Sequence, residues 1–322
     1  MILDIILLLV GIALILGGAN FLTDGASAIA KRFGISDLVI GLTVVAFGTS
    51  APELSISLIS ALGGSSGMAI GNVVGSNIFN ILVIIGITAL VSPIKIQKSI
   101  MTNEIPLVIL ASIAIMAIGS SLWLDGSEPI VSRVDGILLL LFFIIFMRYT
   151  FSQAKKASPE DPATPSLKAI PVWLSIVYVL GGLAALVYGG DIFVDSASSL
   201  ALAMGISETV IGLTIVAAGT SMPELATSVT AAIKGKTEIA IGNVIGSNIF
   251  NIFAILGITA TICPLPFQGI GMIDMFTLVG SAIIFWLTGW VIKERTITRA
   301  EGAFMVACFI AYTAFLITNG QS

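Results

Sequence analysis

The sequence predicts an all-α integral membrane protein of ten transmembrane helices, built as two inverted five-helix repeats with broken helices at the core. Three observations carry that expectation. Of 322 residues, 57% are hydrophobic and 10% charged, with a mean hydropathy of +1.10, whereas a soluble domain carries about 25% charged residues. Two blocks of sequence recur at one offset. GLTVVAFGTSAPEL (41–54) returns as GLTIVAAGTSMPEL (212–225) with 11 of 14 positions identical, and GNVVGSNIFNIL (71–82) returns as GNVIGSNIFNIF (242–253) with 10 of 12, both shifted by 171. Third, lysine and arginine collect on one side of the span pattern.

Apolar stretches of about twenty residues suffice to cross a hydrocarbon core about 30 Å thick. The alternation of a barrel strand is absent, so the spans are helices. The first, about Ile2–Phe21, lacks the positive n-region of a signal peptide and has an internal counterpart near 172–192. Spans follow at about 36–62, 68–92, 104–122 and 134–150. Ser152–Lys168, with three prolines, two acids and three lysines, reads as a cytoplasmic linker. The pattern then repeats at about 171–190, 207–233, 239–263, 273–292 and 301–318. The chain thus divides into a first repeat (1–150), a linker (151–170) and a second, inverted repeat (171–322). Ser36 with Asp37, and Ser207 with Glu208, suit the N-caps and first turns of the second and seventh spans. Trp123, Trp173 and Trp290 fall near span ends, as interfacial anchors do.

Charge tests the count. The loops joining spans 1–2, 3–4, 5–6, 7–8 and 9–10 hold Lys31, Arg32, Lys95, Lys98, Arg148, Lys155, Lys156, Lys168, Lys234, Lys236, Lys293, Arg295 and Arg299; of the 14 basic residues only Arg133 falls on the other side. By the positive-inside rule these loops are cytoplasmic and both termini face outward. An odd number of spans per repeat inverts the second copy. The basic residues follow that orientation rather than the repeat: Lys31 and Arg32 become Leu202 and Ala203 at +171, while Lys234 and Lys236 become Gly63 and Ser65 at −171. Inverted repeats with interrupted helices are the architecture of secondary transporters, whose substrate sites lie near the midplane.

Composition also excludes. A net charge of −4 offers no basic surface for nucleic acid. Histidine is absent, which removes the commonest transition-metal ligand and general base, so an enzyme is not expected. Cys263 and Cys308 lie in or beside apolar spans, where a lone cysteine behaves as a small hydrophobe; neither a disulfide nor a metal cluster is inferred. No cofactor is implied. The linker is too short for a regulatory domain, and the partners expected are membrane lipid and small ions, with no obligate protein partner evident.

Chemistry concentrates in the repeated blocks. An ionised carboxylate inside a span is costly and is retained where it pairs or faces a wet cavity. Glu53 and Glu224 are such residues, and the basic residues stand at or beyond the span ends. A bound cation is therefore the better partner. Thr49 and Ser50 stand four and three residues before Glu53, on its helical face. Pro52 removes a backbone hydrogen bond and obstructs the Gly48 carbonyl, so carbonyls around Ala46–Thr49 can serve as ligands. The same holds for Ala217, Gly219, Thr220, Ser221, Pro223 and Glu224. Hard cations such as calcium and sodium want this all-oxygen set. Asn72, Ser76 and Asn80 share a helical face, as do Asn243, Ser247 and Asn251. Small and polar residues are also common glue between membrane helices, and Asn72, Asn77, Asn243 and Asn248, with Gly71, Gly75, Gly242 and Gly246, fit that role.

GTSxPE followed by GNxxGSNxxN, in two copies, resembles the alpha repeats of the calcium/cation antiporter superfamily, the sodium/calcium exchanger family, and the length and layout are similar to its prokaryotic ten-helix members. The resemblance covers essentially the whole chain. It implies a central cluster of sodium and calcium sites built by spans 2, 3, 7 and 8. Carried over by position, the ligands are the carboxylates of Glu53 and Glu224, the hydroxyls of Thr49, Ser50, Thr220 and Ser221, the carbonyls of Ala46 and Ala217, and Ser76, Asn80, Ser247 and Asn251. Some members carry aspartate where this chain has Asn251.

The expected function is antiport of calcium against sodium by alternating access, in the plasma membrane of a prokaryote, the inner membrane if Gram-negative. The same fold coupled to protons, or dependent on potassium, is the nearest alternative. A cation channel belongs to another class and would need a continuous pore; a membrane-embedded hydrolase would need acids or bases beyond the repeat.

Overall fold

The computed structural model describes residues 2–121, 126–154, 171–204, 217–291 and 293–319. In chain order the helices are α1 (Ile2–Phe33), α2 (Asp37–Thr49), α3 (Ala51–Leu62), α4 (Ser66–Val91), α5 (Ile100–Gly119), α6 (Arg133–Ala154), α7 (Val172–Ala203), α8 (Ala217–Thr220), α9 (Met222–Ile233), α10 (Thr237–Ile262), α11 (Met272–Val291) and α12 (Arg299–Asn319). Among the described residues, 8 helices are long and apolar enough to cross a membrane. The pair α2 and α3, bent by 45°, makes up to 9 if counted as one broken span. Of the stretch expected near 207–233, the residues before 217 lie outside the described residues, Ser207 and Glu208 with them. So do Trp123 and the linker lysines Lys155, Lys156 and Lys168.

Both α1 and α7 run well past the apolar stretches that announced them. Polar side chains end the hydropathy signal without ending the helix, because they bond back to it: the Thr23 hydroxyl donates to the Ala19 carbonyl at 2.7 Å. Each of these helices has 32 residues, about 48 Å at 1.5 Å per residue, longer than the hydrocarbon core. At α2 the expected cap is present, with the Ser36 hydroxyl accepting from the Val39 amide at 3.3 Å.

The helices form two compact units, each drawing on both halves of the sequence. The first comprises residues 1–50 and 145–246. Its core joins Ile15, Ala19, Leu22 and Ala26 of α1 to Val179 and Leu186 of α7, Ala231 and Ala232 of α9, and Ile239 and Ala240 of α10. Glycine sets the spacing of α1 and α7: a Cβ added to Gly182 would lie 2.6 Å from the Leu22 amide nitrogen and 2.8 Å from the Gly18 carbonyl. A Cβ added to Gly242 would likewise lie 2.7 Å from the Leu38 carbonyl, which is the close approach expected of a small residue between membrane helices. At one end of this unit, Asp24 of α1 pairs with Lys234 at 2.8 Å and Lys236 at 3.8 Å. Burial lowers the Lys236 pKa from its ordinary value, and Asp24 and Asp37 partly offset that shift.

The second unit comprises residues 51–144 and 247–322. Here α5 packs on α11, where the Trp286 indole donates to the Met101 carbonyl at 3.0 Å, and α12 packs on α4. Two short antiparallel ladders close the helix ends: β1 (Ile94–Lys95) with β4 (Thr296–Ile297), and β2 (Ile130–Val131) with β3 (Leu265–Pro266). Capping boxes start the helices that follow: the Asp135 carboxylate accepts from the Ser132 amide at 2.8 Å, and Glu301 accepts from the Thr298 amide at 2.8 Å. The outer faces of α6 and α12 expose Leu141, Phe142, Ile144, Phe304 and Ile310, the surface that lipid requires.

Overpacking a helix contact costs about 1–3 kcal/mol. Gly182→Val is expected to lower the melting temperature of the detergent-purified protein by about 5 °C. Gly181→Val, at a position where an added Cβ meets nothing within 4 Å among the described residues, is the control and should melt as the unsubstituted chain does in the same scanning fluorimetry.

Candidate functional site

Both GTSxPE stretches break their helices in one way. Ser50 has φ −85° and ψ 9°, and Ser221 has φ −93° and ψ 8°, each in the sparsely allowed bridge region where functional residues often sit. Two residues on, Pro52 and Pro223 have no amide hydrogen for the carbonyls of Gly48 and Gly219. The next helix then begins, which places Glu53 and Glu224 in the first turns of α3 and α9. A helix N-terminus favours negative charge. Both carboxylates are buried, at 1% and 0% exposure.

In the first unit the Ser50 hydroxyl donates to Glu224 Oε1 at 2.9 Å. The Thr49 hydroxyl donates to Asn243 Oδ1 at 3.1 Å, and Asn243 Nδ2 donates to the Glu224 backbone carbonyl at 3.3 Å and to Ser228 Oγ at 3.0 Å. The Ala46 carbonyl accepts from the Ser50 amide at 3.0 Å and from the Thr49 hydroxyl at 3.4 Å. Ala217 opens α8, Thr220 ends it, and buried Ser221 caps α9.

The second unit holds Glu53, Ser76, Asn80, Ser247 and Asn251. Asn72 Nδ2 donates to the Glu53 carbonyl at 3.1 Å and to Ser57 Oγ at 2.9 Å, the same bonds that Asn243 makes around Glu224. Deeper along α4 and α10 lies an amide network. Asn80 Nδ2 donates to Asn248 Oδ1 at 3.1 Å, Asn251 Nδ2 to Asn77 Oδ1 at 2.9 Å, and Asn77 Nδ2 to the Asn248 carbonyl at 3.2 Å. Ser76 is buried beside it in sequence. Ser247 Oγ and the Oδ1 atoms of Asn80 and Asn251 are buried and have no hydrogen-bond partner among the described residues. At these asparagines both helices widen into π-type turns, over Asn80–Ile85 and Phe250–Leu256; such turns inside α-helices are frequent at functional sites.

No cluster of three or more histidine, cysteine, aspartate or glutamate side chains occurs among the described residues. The donors are instead carboxylates, amide oxygens, hydroxyls and carbonyls, the set that hard cations take. The family model described as "Sodium/calcium exchanger protein" matches residues 3–152 and 174–318. The chain belongs to the sodium/calcium exchanger family. That is a family of membrane antiporters rather than of enzymes. Among relatives, this exchanger is 38% identical over 322 residues to "Putative antiporter CaxA" of Alkalimonas amylolytica, covering 98% of each chain. It is 36% identical over 329 residues to "Inner membrane protein YrbG" of Escherichia coli, covering 98% of this chain and 97% of that one. Its fold is similar to that of the solved sodium-calcium exchanger NCX_Mj soaked with 2.5 mM Na+ and 0.1 mM Ca2+, with a TM-score of 0.83, 34% identity and 98% of each chain covered.

Sequence reasoning passed over Ser57 and Ser228. The signal was available: each follows its glutamate by four residues and the two are related by the same offset of 171. The bonds of Asn72, Asn77, Asn243 and Asn248 run between helices, the role expected of them. Asn243→Ala removes the partner of three buried groups. It is expected to destabilise the exchanger by about 2 kcal/mol, seen as a lower melting temperature in buffer without calcium or sodium, while Thr43→Ala, a half-buried position off the network, leaves the melt unchanged.

Proposed function

We propose that this chain is a secondary-active antiporter that exchanges calcium against sodium by alternating access. The observation that supports this most is the duplicated, all-oxygen set around two buried glutamates. Each contributes a negative charge in an apolar chain, and the family's described activity is exchange of these two ions. Glu53 and Glu224 are both used by the transported ions, so calcium and sodium compete. Thr49, Ser50, Thr220 and Ser221 supply hydroxyls, Ala46 and Ala217 carbonyls, and Ser76, Asn80, Ser247 and Asn251 the remaining oxygens. Calcium and sodium are cargo, and no cofactor is needed. The layout is ten spans in two inverted repeats, 1–150 and 171–322, joined by the cytoplasmic linker 151–170, with both termini outside. Likeness to a protein named for the inner membrane supports a plasma-membrane location.

Calcium uptake into sodium-loaded proteoliposomes tests the reading. Glu53→Gln and Glu224→Gln should each abolish uptake, and normal rates in both variants would overturn the assignment. Uptake driven equally by an imposed pH gradient, or only with potassium present, would transfer the same site to proton or potassium coupling. Passive flux without any counter-ion would indicate a channel.

Orientation has its own measurement. With Cys263 and Cys308 replaced by alanine, a cysteine at Gln321 should react with a membrane-impermeant maleimide added to intact cells, and one at Lys234 should react only after permeabilisation. The opposite pattern would invert the topology.

A further inference from the structure

We propose that Asn77 is a positioning residue: it locks the side-chain amide of Asn251 so that this amide offers its oxygen, and not its nitrogen, to a cation. The inference rests on the cation-binding reading above. A side-chain amide has one accepting end and one donating end, and a half-turn exchanges them. Turned the wrong way, Asn80 or Asn251 would present hydrogens to a positive ion.

The bonds decide the orientation. Asn251 Nδ2 is committed to Asn77 Oδ1 at 2.9 Å and Asn80 Nδ2 to Asn248 Oδ1 at 3.1 Å. Flipping Asn251 would set oxygen against oxygen, whereas Asn248 Nδ2 has no partner among the described residues, so Asn80 and Asn248 can turn together without losing a bond. Asn77 is held in turn, because its own Nδ2 donates to the Asn248 carbonyl at 3.2 Å, which fixes its Oδ1 toward Asn251. All four side chains are at most 1% exposed, so water does not compete. Plain glue between α4 and α10 would satisfy both ends of each amide, since buried polar groups are nearly always bonded. Instead the Oδ1 atoms of Asn80 and Asn251 accept from no described residue. In Asn251, held by the anchored Asn77, the donating end is spent and the accepting end is kept.

A double-mutant cycle on the purified full chain tests this, with calcium binding followed by titration calorimetry. If Asn77 acts through Asn251, Asn77→Ala weakens calcium binding about tenfold. Added to Asn251→Ala, it then changes binding less than about twofold. Full additivity, or wild-type affinity in Asn77→Ala, overturns the inference. Should Asn77→Ala not purify as a monodisperse protein, Asn77→Leu, close in volume and unable to accept a hydrogen bond, takes its place in the cycle with the same expectation and the same overturning results. Sodium added to the wild-type titration separates the two claims. Calcium binding that sodium does not displace removes the antiport reading and leaves the cycle valid, whereas a wild type that binds no calcium removes both.

Discussion

A lipid bilayer gives no water to a polar group, so every break in a membrane helix has to be closed by protein. That constraint organises this molecule. Serine at the bridge conformation and proline two residues on open the helices at Ser50 and Ser221, and neighbouring helices then brace the turn that follows each break. Asn72 reaches the Glu53 carbonyl and Asn243 the Glu224 carbonyl. From there the bonding continues outward, through Ser57 to the Ala69 carbonyl and through Ser228 to the Ala240 carbonyl. The asparagines therefore tie the first turn after each break to a neighbouring helix. Because they are themselves fixed, the glutamate backbones they hold are fixed as well.

The same constraint explains why so much glycine accompanies so much asparagine. An amide can bond a carbonyl on another helix only if the two backbones approach closely. Gly242 lies against the Leu38 carbonyl and directly precedes Asn243, which bonds Thr49, Glu224 and Ser228. Close packing and polar bonding are thus two aspects of one sequence block.

Much of this was legible in the chain. Composition and the lengths of apolar stretches placed the membrane helices, and proline with glycine marked the broken helix, which bends by 45° between Thr49 and Ala51. The duplicated blocks singled out Glu53, Glu224, Asn80 and Asn251, and all four are buried. Other features were hidden for physical reasons. Hydropathy falls at Thr23 and Asp24, yet α1 continues, because backbone bonding is indifferent to side-chain polarity once a neighbouring helix covers it. The π-type turns at Asn80–Ile85 and Phe250–Leu256 have no composition of their own, since one extra residue in a turn leaves the apolar pattern almost unchanged. Amide orientation was also out of reach: spacing places Asn77 and Asn251 on helices, but only their meeting at 2.9 Å says which atom faces which.

Charge and orientation at the asparagines are linked. With amides at 80 and 251, the repeated motif carries two carboxylates, Glu53 and Glu224, so on the proposed reading one calcium or two sodium ions neutralise it. A third sodium would leave excess positive charge in a buried place, where an uncompensated ion costs several kcal/mol. An aspartate at 251 would relieve that excess but could not donate to Asn77 Oδ1. Asn77 would then have to turn its nitrogen toward the new carboxylate, which would remove its bond to the Asn248 carbonyl and bring its oxygen against that carbonyl instead. The neutral residue at 251 and the orientation of Asn77 are therefore one structural choice, made together.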